Sequence, residues 1–449
     1  MPPNETPHST LKRIKNRIEN SITVKFFLVG FLSLILLIPT FMIEDLIEDR
    51  EERRDQVTQE IGSKWGQEQT LKGPVLNVPY KHFYRRKSGG MDHEIRYAHF
   101  LPDSLHIKGN MKPRIRYRGI YQVILYQSDL KLSGRFSDPD FQEWKIPNKN
   151  ILWDKAFVSM GITDMRGIKE AIDLRFSGKN YSVDPGIPSN DILHSGISTK
   201  VDLGPDSTTT DHPFEFSLKL NGSETLKFTP VGKKTKVKLR SEWSTPSFGG
   251  AFLPNDRKID KNGFRADWKV LHLNRNYPQQ WKGEDHQLRG SAFGVELLFP
   301  VDHYQKSLRA VKYAIMFIGL TFLTFFFSEV LNRKRIHPIQ YLLIGLALCI
   351  FYTLLISLSE HFGFTPSYLI ASAAIIILIT SYSGSILRSK KLTALVGFLL
   401  LALYTFLFTT LQLQAYSLLL GSIGLFVVMA LVMYLSRNVD WYRPIDGKK

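Results

Sequence analysis

Cysteine is almost missing from this chain of 449 residues: Cys349 is the single one. No disulfide framework can hold the fold together, so every domain must be stable from its own buried core. Catalytic signatures are missing too. There is no HExxH, no CxxC pair, no GxSxG elbow and no Walker loop. The histidines at 82, 93, 99, 106, 194, 212, 272, 286 and 303 are scattered without metal-ligand spacing and read as surface or sheet residues. Neither an enzymatic activity nor a cofactor or metal is expected. Cations are missing from two short stretches, 359–366 and 412–415, although the chain carries 58 Lys and Arg against 41 Asp and Glu.

The net charge of +17 taken alone would suggest nucleic acid. Its placement excludes that partner. Residues 44–308 hold 41 cations and 35 anions, so +11 of the +17 lies on segments that flank apolar runs. That is where a membrane-topology signal belongs.

The most informative run lies within residues 333–364. Arg333, Lys334 and Arg335 open it, an apolar stretch follows, and Ser359, Glu360 and His361 close it. The apolar part can cross a hydrocarbon core of about 30 Å at about 1.5 Å per residue. Gly345, Cys349, Thr353 and Ser357 recur every four residues and are expected to form a helix-packing face leading toward Glu360. Further runs give spans at 26–43, 309–330, 366–386, 392–411 and 415–436 beside 338–359, with a basic leader at 1–25 and a tail at 437–449. The first reads as a signal anchor, because charged residues rather than a small-residue cleavage site follow it. Arg333–Arg335, Arg388, Lys390, Lys391 and the tail alternate with the cation-free loops, which predicts cytoplasmic N- and C-termini.

Residues 44–308 then form one large extracytoplasmic domain inserted between helices 1 and 2. Its first part, 44–61, reads as a charged, exposed helix. From Gly73 to Phe299 the pattern is mainly antiparallel β, as one or two sandwiches. Gly119 reads as a bulge and Asn221-Gly222 as a hairpin turn, while 173–211, rich in Ser, Gly, Pro and Asp, reads as loops. Lys233, Lys234, Lys236, Lys238 and Arg240 partly alternate with Thr235, Val237 and Leu239. A solvated face or a guarded edge strand is the expected meaning, with anionic headgroups or a polyanionic envelope polymer as the functional alternative. The aromatics between Trp243 and Trp268 read as core packing rather than a binding groove.

The polar groups in or beside the spans are Glu329, His337, Gln340, Ser359, Glu360 and His361. Ionisable residues there tend to face the bundle interior, and a Glu next to a His supplies two groups able to change charge near neutral pH. An interhelical lock is the plainer meaning.

Several stretches resemble the CreD family of bacterial inner-membrane proteins: GPVLNVPY (73–80), RYRGIY (116–121), WSTPSFGGAFLP (243–254), LNRNYPQQW (273–281), FGVELLFPVDHY (293–304), RAVKYAIMF (309–317), IHPIQYLLIGLALCIFYTLLISLSEHFGF (336–364) and RNVDWY (437–442). The leader and 173–211 lie outside the resemblance. It implies a bacterial inner-membrane protein regulated with the CreBC two-component system. It also implies roles in envelope integrity, colicin tolerance and β-lactam response, with no established reaction. The leading expectation is a non-enzymatic envelope protein in the plasma membrane whose periplasmic domain engages an envelope polymer or protein, with membrane lipids as its other partner. A transporter or lipid flippase using Glu360, His361 and Glu329 is the alternative. A membrane-embedded enzyme with Glu360 as base and Ser359 or His361 as partner is the third reading.

Overall fold

A computed structural model describes residues 22–87, 89–203, 211–288, 290–299, 303–332, 335–413 and 416–437. The leader up to residue 21, Arg333, Lys334 and the tail beyond Arg437 lie outside the described residues. The described residues up to 53 and those after 300 form one compact unit, and the described residues between them form the other.

The first unit is helical. Its elements are α1 (Ile22–Ile35), α2 (Leu37–Trp65, which runs into the second unit), α3 (His303–Lys312), α4 (Ala314–Leu331), α5 (Pro338–Phe362), α6 (Phe364–Leu387), α7 (Lys390–Gln412) and α8 (Ser417–Ser436). Pro39 sits in the first turn of α2, where its missing N–H would have had no helical partner, and the chain restarts there after a break at Leu36. Among the described residues, four helical stretches are long and apolar enough to cross a membrane: Ile22–Trp65, α5, α6 and α7. A fifth is the pair α3–α4 taken as one span bent by 43°, and the apolar helix Leu419–Tyr434 is shorter. Large side chains such as Phe27, Met42, Ile377, Phe398 and Phe426 stand exposed on these helices, as a lipid-facing surface requires.

The second unit is built on strands β1 (Gln69–Arg85), β2 (Met91–Phe100), β3 (Ser104–Arg118), β4 (Tyr121–Ser137), β5 (Phe157–Ile162), β6 (Asp173–Phe176), β7 (Lys179–Ser182), β8 (Asp184–Pro185) and β9 (Gly196–Lys200). They continue with β10 (Asp211–Ser223), β11 (Thr225–Phe228), β12 (Lys234–Ser241), β13 (Pro246–Gly250), β14 (Asp256–Asp260), β15 (Gly263–Leu271), β16 (Gln280–Lys282) and β17 (Phe293–Leu297). Nine strands form one sheet, in the order β13-β17-β11-β1-β5-β9-β8, with β2 also on β1 and β16 on β2. The other eight run β14-β15-β12-β3-β4-β10-β6-β7. Most pairs are antiparallel, but β1·β11 and β12·β3 are parallel, so both sheets are mixed. One hydrophobic core joins the two sheets. Leu105, Ile107 and Met111 of β3 and Phe214, Phe216, Leu218 and Leu220 of β10 contribute from one, Val75, Leu76 and Val78 of β1 from the other. The alternation in β3 and β10 is what a strand with one face in a core dictates, whereas the middle of β1 is buried on both faces.

Several local expectations are corrected. Gly119, at φ +60°, is no bulge: it opens the two-residue turn between Arg118 and Tyr121, where a positive φ at the first position favours glycine. Asn221-Gly222 is no turn either. Both lie inside β10, opposite Gln127 and Tyr126, and a Cβ on Gly222 would overlap the Tyr126 ring. The chain changes sheets at Glu224, which takes the positive φ of +54° itself. The loop-like 173–211 segment contains β6–β9, short strands whose polar outward residues hide their alternation. The charged helix is not simply exposed. Val57, Ile61 and Trp65 fall on one face at i, i+4 and i+8 and pack on Val123, Leu125 and Tyr121 of β4. The aromatics near Trp243 do form core: Phe248 meets Phe264 and Trp268 edge to face, and Trp268 meets Phe293.

Candidate functional site

In the helical unit, polar side chains collect at the two ends of α5. At its N-terminal end, Glu329 of α4 is 1% exposed. Its carboxylate accepts hydrogen bonds from Tyr341 Oη at 3.1 Å and from the Ile336 N–H at 3.2 Å, and Lys25 of α1 forms a close ion pair with it. A buried carboxylate is tolerated when a cation and further donors satisfy it together. His337 and Gln340 stand at the same end but do different work. The His337 ring accepts from the Ile339 N–H, while Gln340 Oε1 accepts from the His337 N–H at 3.0 Å. With Pro338 as the first helical residue, this is a capping box that starts α5.

At the other end, Glu360 Oε1 accepts from Tyr304 Oη at 3.2 Å and lies 3.6 Å from Arg50 Nη1. Ser359 and His361 do not join it. Ser359 Oγ donates to the Ile356 carbonyl at 2.9 Å, and the exposed His361 ring lies 3.1 Å from the Ser357 carbonyl. Adjacent residues on a helix diverge by about 100°, which separates Glu360 from His361. Nearby, Lys306 Nζ donates to Gln412 Oε1 at 3.0 Å and sits over the Phe364 ring. Between the two ends aromatic rings of neighbouring helices pack on one another. Phe351 meets Tyr352, Tyr368 and Tyr404, Phe317 meets Tyr404, and Tyr368 Oη donates to the Tyr404 carbonyl at 2.7 Å.

The expected packing face of α5 holds for half its length. A Cβ on Gly345 would overlap Leu36 Cδ1, so the glycine is what lets the α1–α2 junction approach α5, and Cys349 is buried beside the Leu36 carbonyl. Thr353 and Ser357 are exposed instead. Residues four apart drift by about 40° per step, so the line of small residues leaves the contact, which continues through Tyr352, Leu355, Ile356 and Ser359.

The β unit holds two buried histidines whose neighbours the sequence did not reveal. His99 has Asn77 Oδ1 2.7 Å from Nδ1 and Asp191 Oδ2 3.0 Å from Nε2, and Asn77 Nδ2 donates to Ser159 Oγ at 2.8 Å. The hydrogen bond from His99 holds the Asp191 carboxyl below the usual carboxylate range. His212 stacks on Phe176 with Ser177 Oγ 3.0 Å from Nδ1 and Asp138 Oδ1 2.7 Å from Nε2. This Ser–His–Asp set pins a hairpin: the Ser177 N–H is already given to the Pro213 carbonyl. Among the described residues no group of three or more His, Cys, Asp or Glu could hold a metal ion.

One titration stands out in this unit. Burial and the nearby Glu68 carboxylate push the Glu224 carboxyl up to about 7, with Asp55 and Glu296 adding and Arg54 opposing.

The family model described as "Inner membrane protein CreD" matches residues 21–442. The protein named Inner membrane protein CreD of Escherichia coli (strain K12) is 34% identical over 415 residues, which is 91% of each chain.

Proposed function

From the premise that this chain belongs to the CreD family of inner-membrane proteins, we propose that it supports cell-envelope integrity without catalysing a reaction. The β unit does the work in the periplasm and the helices anchor it. Six spans place both termini in the cytoplasm. The alternation of Arg335, Arg388, Lys390 and Lys391 with the cation-free stretches at 359–366 and 412–415 supports that topology.

The observation that carries the reading is where charge is neutralised. Glu329 and Glu360, the carboxylates at the two ends of α5, each have a cation beside them, and aromatic rings such as Phe351 and Tyr404 pack on one another between them. A proton- or ion-coupled route would need a polar path between those ends. It would also need Glu360 and His361 to act together, and their side chains go to different partners.

The test is survival under detergent and β-lactam of a strain lacking the protein. The strain is complemented with wild type, with Glu360→Gln/His361→Ala, or with a chain lacking residues 62–300, each at checked membrane abundance. Rescue by the double variant and failure of the deletion is the expected result. A well-expressed double variant that fails to rescue overturns the reading in favour of transport.

A further inference from the structure

The cationic run at 233–240 guards no edge. Its strand, β12, lies inside the eight-stranded sheet between β15 and β3. Thr235, Val237 and Leu239 face the core, while Lys234, Lys238 and Arg240 point out. Register then aligns cations from neighbouring strands. Lys238 stands opposite Lys108 of β3, and Lys108 opposite Lys131 of β4. Three ammonium groups thus share one row, on strands about 4.8 Å apart. One step along, Arg240 stands opposite Arg265 of β15.

Like charges set directly opposite one another destabilise a sheet. Here only the Lys238 end of the row faces an acid, Asp267 of β15. A groove of about 760 Å³ over this face is lined by Lys108, Lys131, Lys219, Lys238, Arg240 and Arg265, with Asp129 and Asp267 as its carboxylates. Asp267 lies 3.6 Å from Lys238, Lys219 is held by Glu170, and Asp129 lies 3.5 Å from Lys112. Among the described residues, Lys108, Lys131, Arg240 and Arg265 have no carboxylate within 4 Å. The neighbouring His106 registers the field: partial burial, then Lys236, Lys234 and Lys108, disfavour its protonation.

We propose that this groove binds a linear polyanion bearing repeated phosphate groups, laid across the strands. The proposal rests on the envelope reading above and names the partner class of its β unit. Four of the six cations are lysines, which act as point charges on phosphate, whereas planar two-point recognition of carboxylates favours arginine. No aromatic side chain lines the groove, so it offers no platform for stacking nucleic-acid bases. A flat bilayer would meet only the rim of a groove, while a flexible chain can follow its floor.

The test uses the full-length protein in neutral detergent micelles and fluorescently labelled long-chain inorganic polyphosphate, with binding read by anisotropy across a salt series. Lys108→Gln/Lys131→Gln/Lys238→Gln is compared with Lys87→Gln/Lys155→Gln/Lys200→Gln, an equal loss of charge at exposed sites elsewhere. Wild type and the control are expected to bind alike. The groove variant is expected to lose roughly tenfold or more at low salt, with a log–log salt slope shallower by about 2. Equal loss in both variants, no binding by wild type, or preferential binding to phosphatidylglycerol vesicles over polyphosphate overturns the proposal. Binding to purified protein and survival of the strain are separate readouts. Failure here leaves the envelope reading standing, and failure there leaves the groove.

Discussion

The helical bundle and the eight-stranded sheet treat charge in opposite ways. In the bundle, Glu329 and Glu360 are brought to a cation and to a tyrosine hydroxyl each. On the sheet, Lys238, Lys108 and Lys131 are aligned with one another although alternation left many other residue choices open. In apolar surroundings an uncompensated charge is too costly to keep. At a wet surface repulsion is mild, so a row of like charges can persist where a ligand relieves it. The contrast separates charge used as structure from charge held ready for a partner.

The sharpest way to break the comparison is to unpair the buried carboxylate. Glu329→Ala leaves Lys25 and Tyr341 without their acceptor and is expected to cost about 3–5 kcal/mol. Thermal unfolding in detergent measures it. Adding Lys25→Met should recover much of the loss, because the ammonium no longer lacks a counter-charge. If the single variant melts like wild type, the pair is not structural and the contrast fails.

The next effect depends on pH and belongs to the β unit. Glu224 holds its proton more tightly in the folded state, with a value near 7 against 4.5 for an ordinary glutamate. Its contribution is therefore fully present below about pH 4.5 and is lost as pH rises toward 7. Glu224→Gln, which cannot ionise, is expected to stabilise the protein at pH 8 by up to about 3 kcal/mol and to change little at pH 4.5. Melting curves at the two pH values decide it. An equal gain at both would mean that the side chain acts through packing.

Gly345→Ala tests the junction that brings Leu36 against α5. The added methyl overlaps Leu36 Cδ1 and comes within 3.0 Å of Phe322 Cζ. A loss of about 1–3 kcal/mol is expected, as for overpacked cores. Thr353→Ala, on the exposed stretch of the same small-residue line, should change stability by less than about 0.5 kcal/mol.

What could be read in advance follows the same division. Apolar runs of about 20 residues are legible because lipid leaves the backbone few alternatives to a helix. Glu329 and Glu360 were legible as polar groups near spans. Their partners were not, since Lys25 is 304 residues from Glu329 and only the fold brings them together. In the β unit, alternation gave the faces of β12 and β10 but said nothing about which strand lies beside which. The lysine run therefore reads equally as a solvated face or a guarded edge, and Gly222, needed for the ring of Tyr126, reads as a turn. His99 and His212 were equally opaque, because Asp191 and Asp138 reach them from other segments.

Neutralising the lysine row has a small expected effect, and it is the one that separates the two meanings of a basic sheet face. Replacing Lys108, Lys131 and Lys238 together with glutamine removes direct cross-strand repulsion, so the variant should be more stable than wild type by about 1 kcal/mol at low salt. The gain should shrink at high salt, where exposed charges no longer feel one another. A merely solvated face predicts the same gain and nothing else. A binding face predicts in addition that saturating polyphosphate raises the melting temperature of wild type and not of the variant, because a ligand stabilises only the state that binds it. Should polyphosphate raise both equally, the aligned lysines are surface charge and the contrast with the bundle reduces to burial.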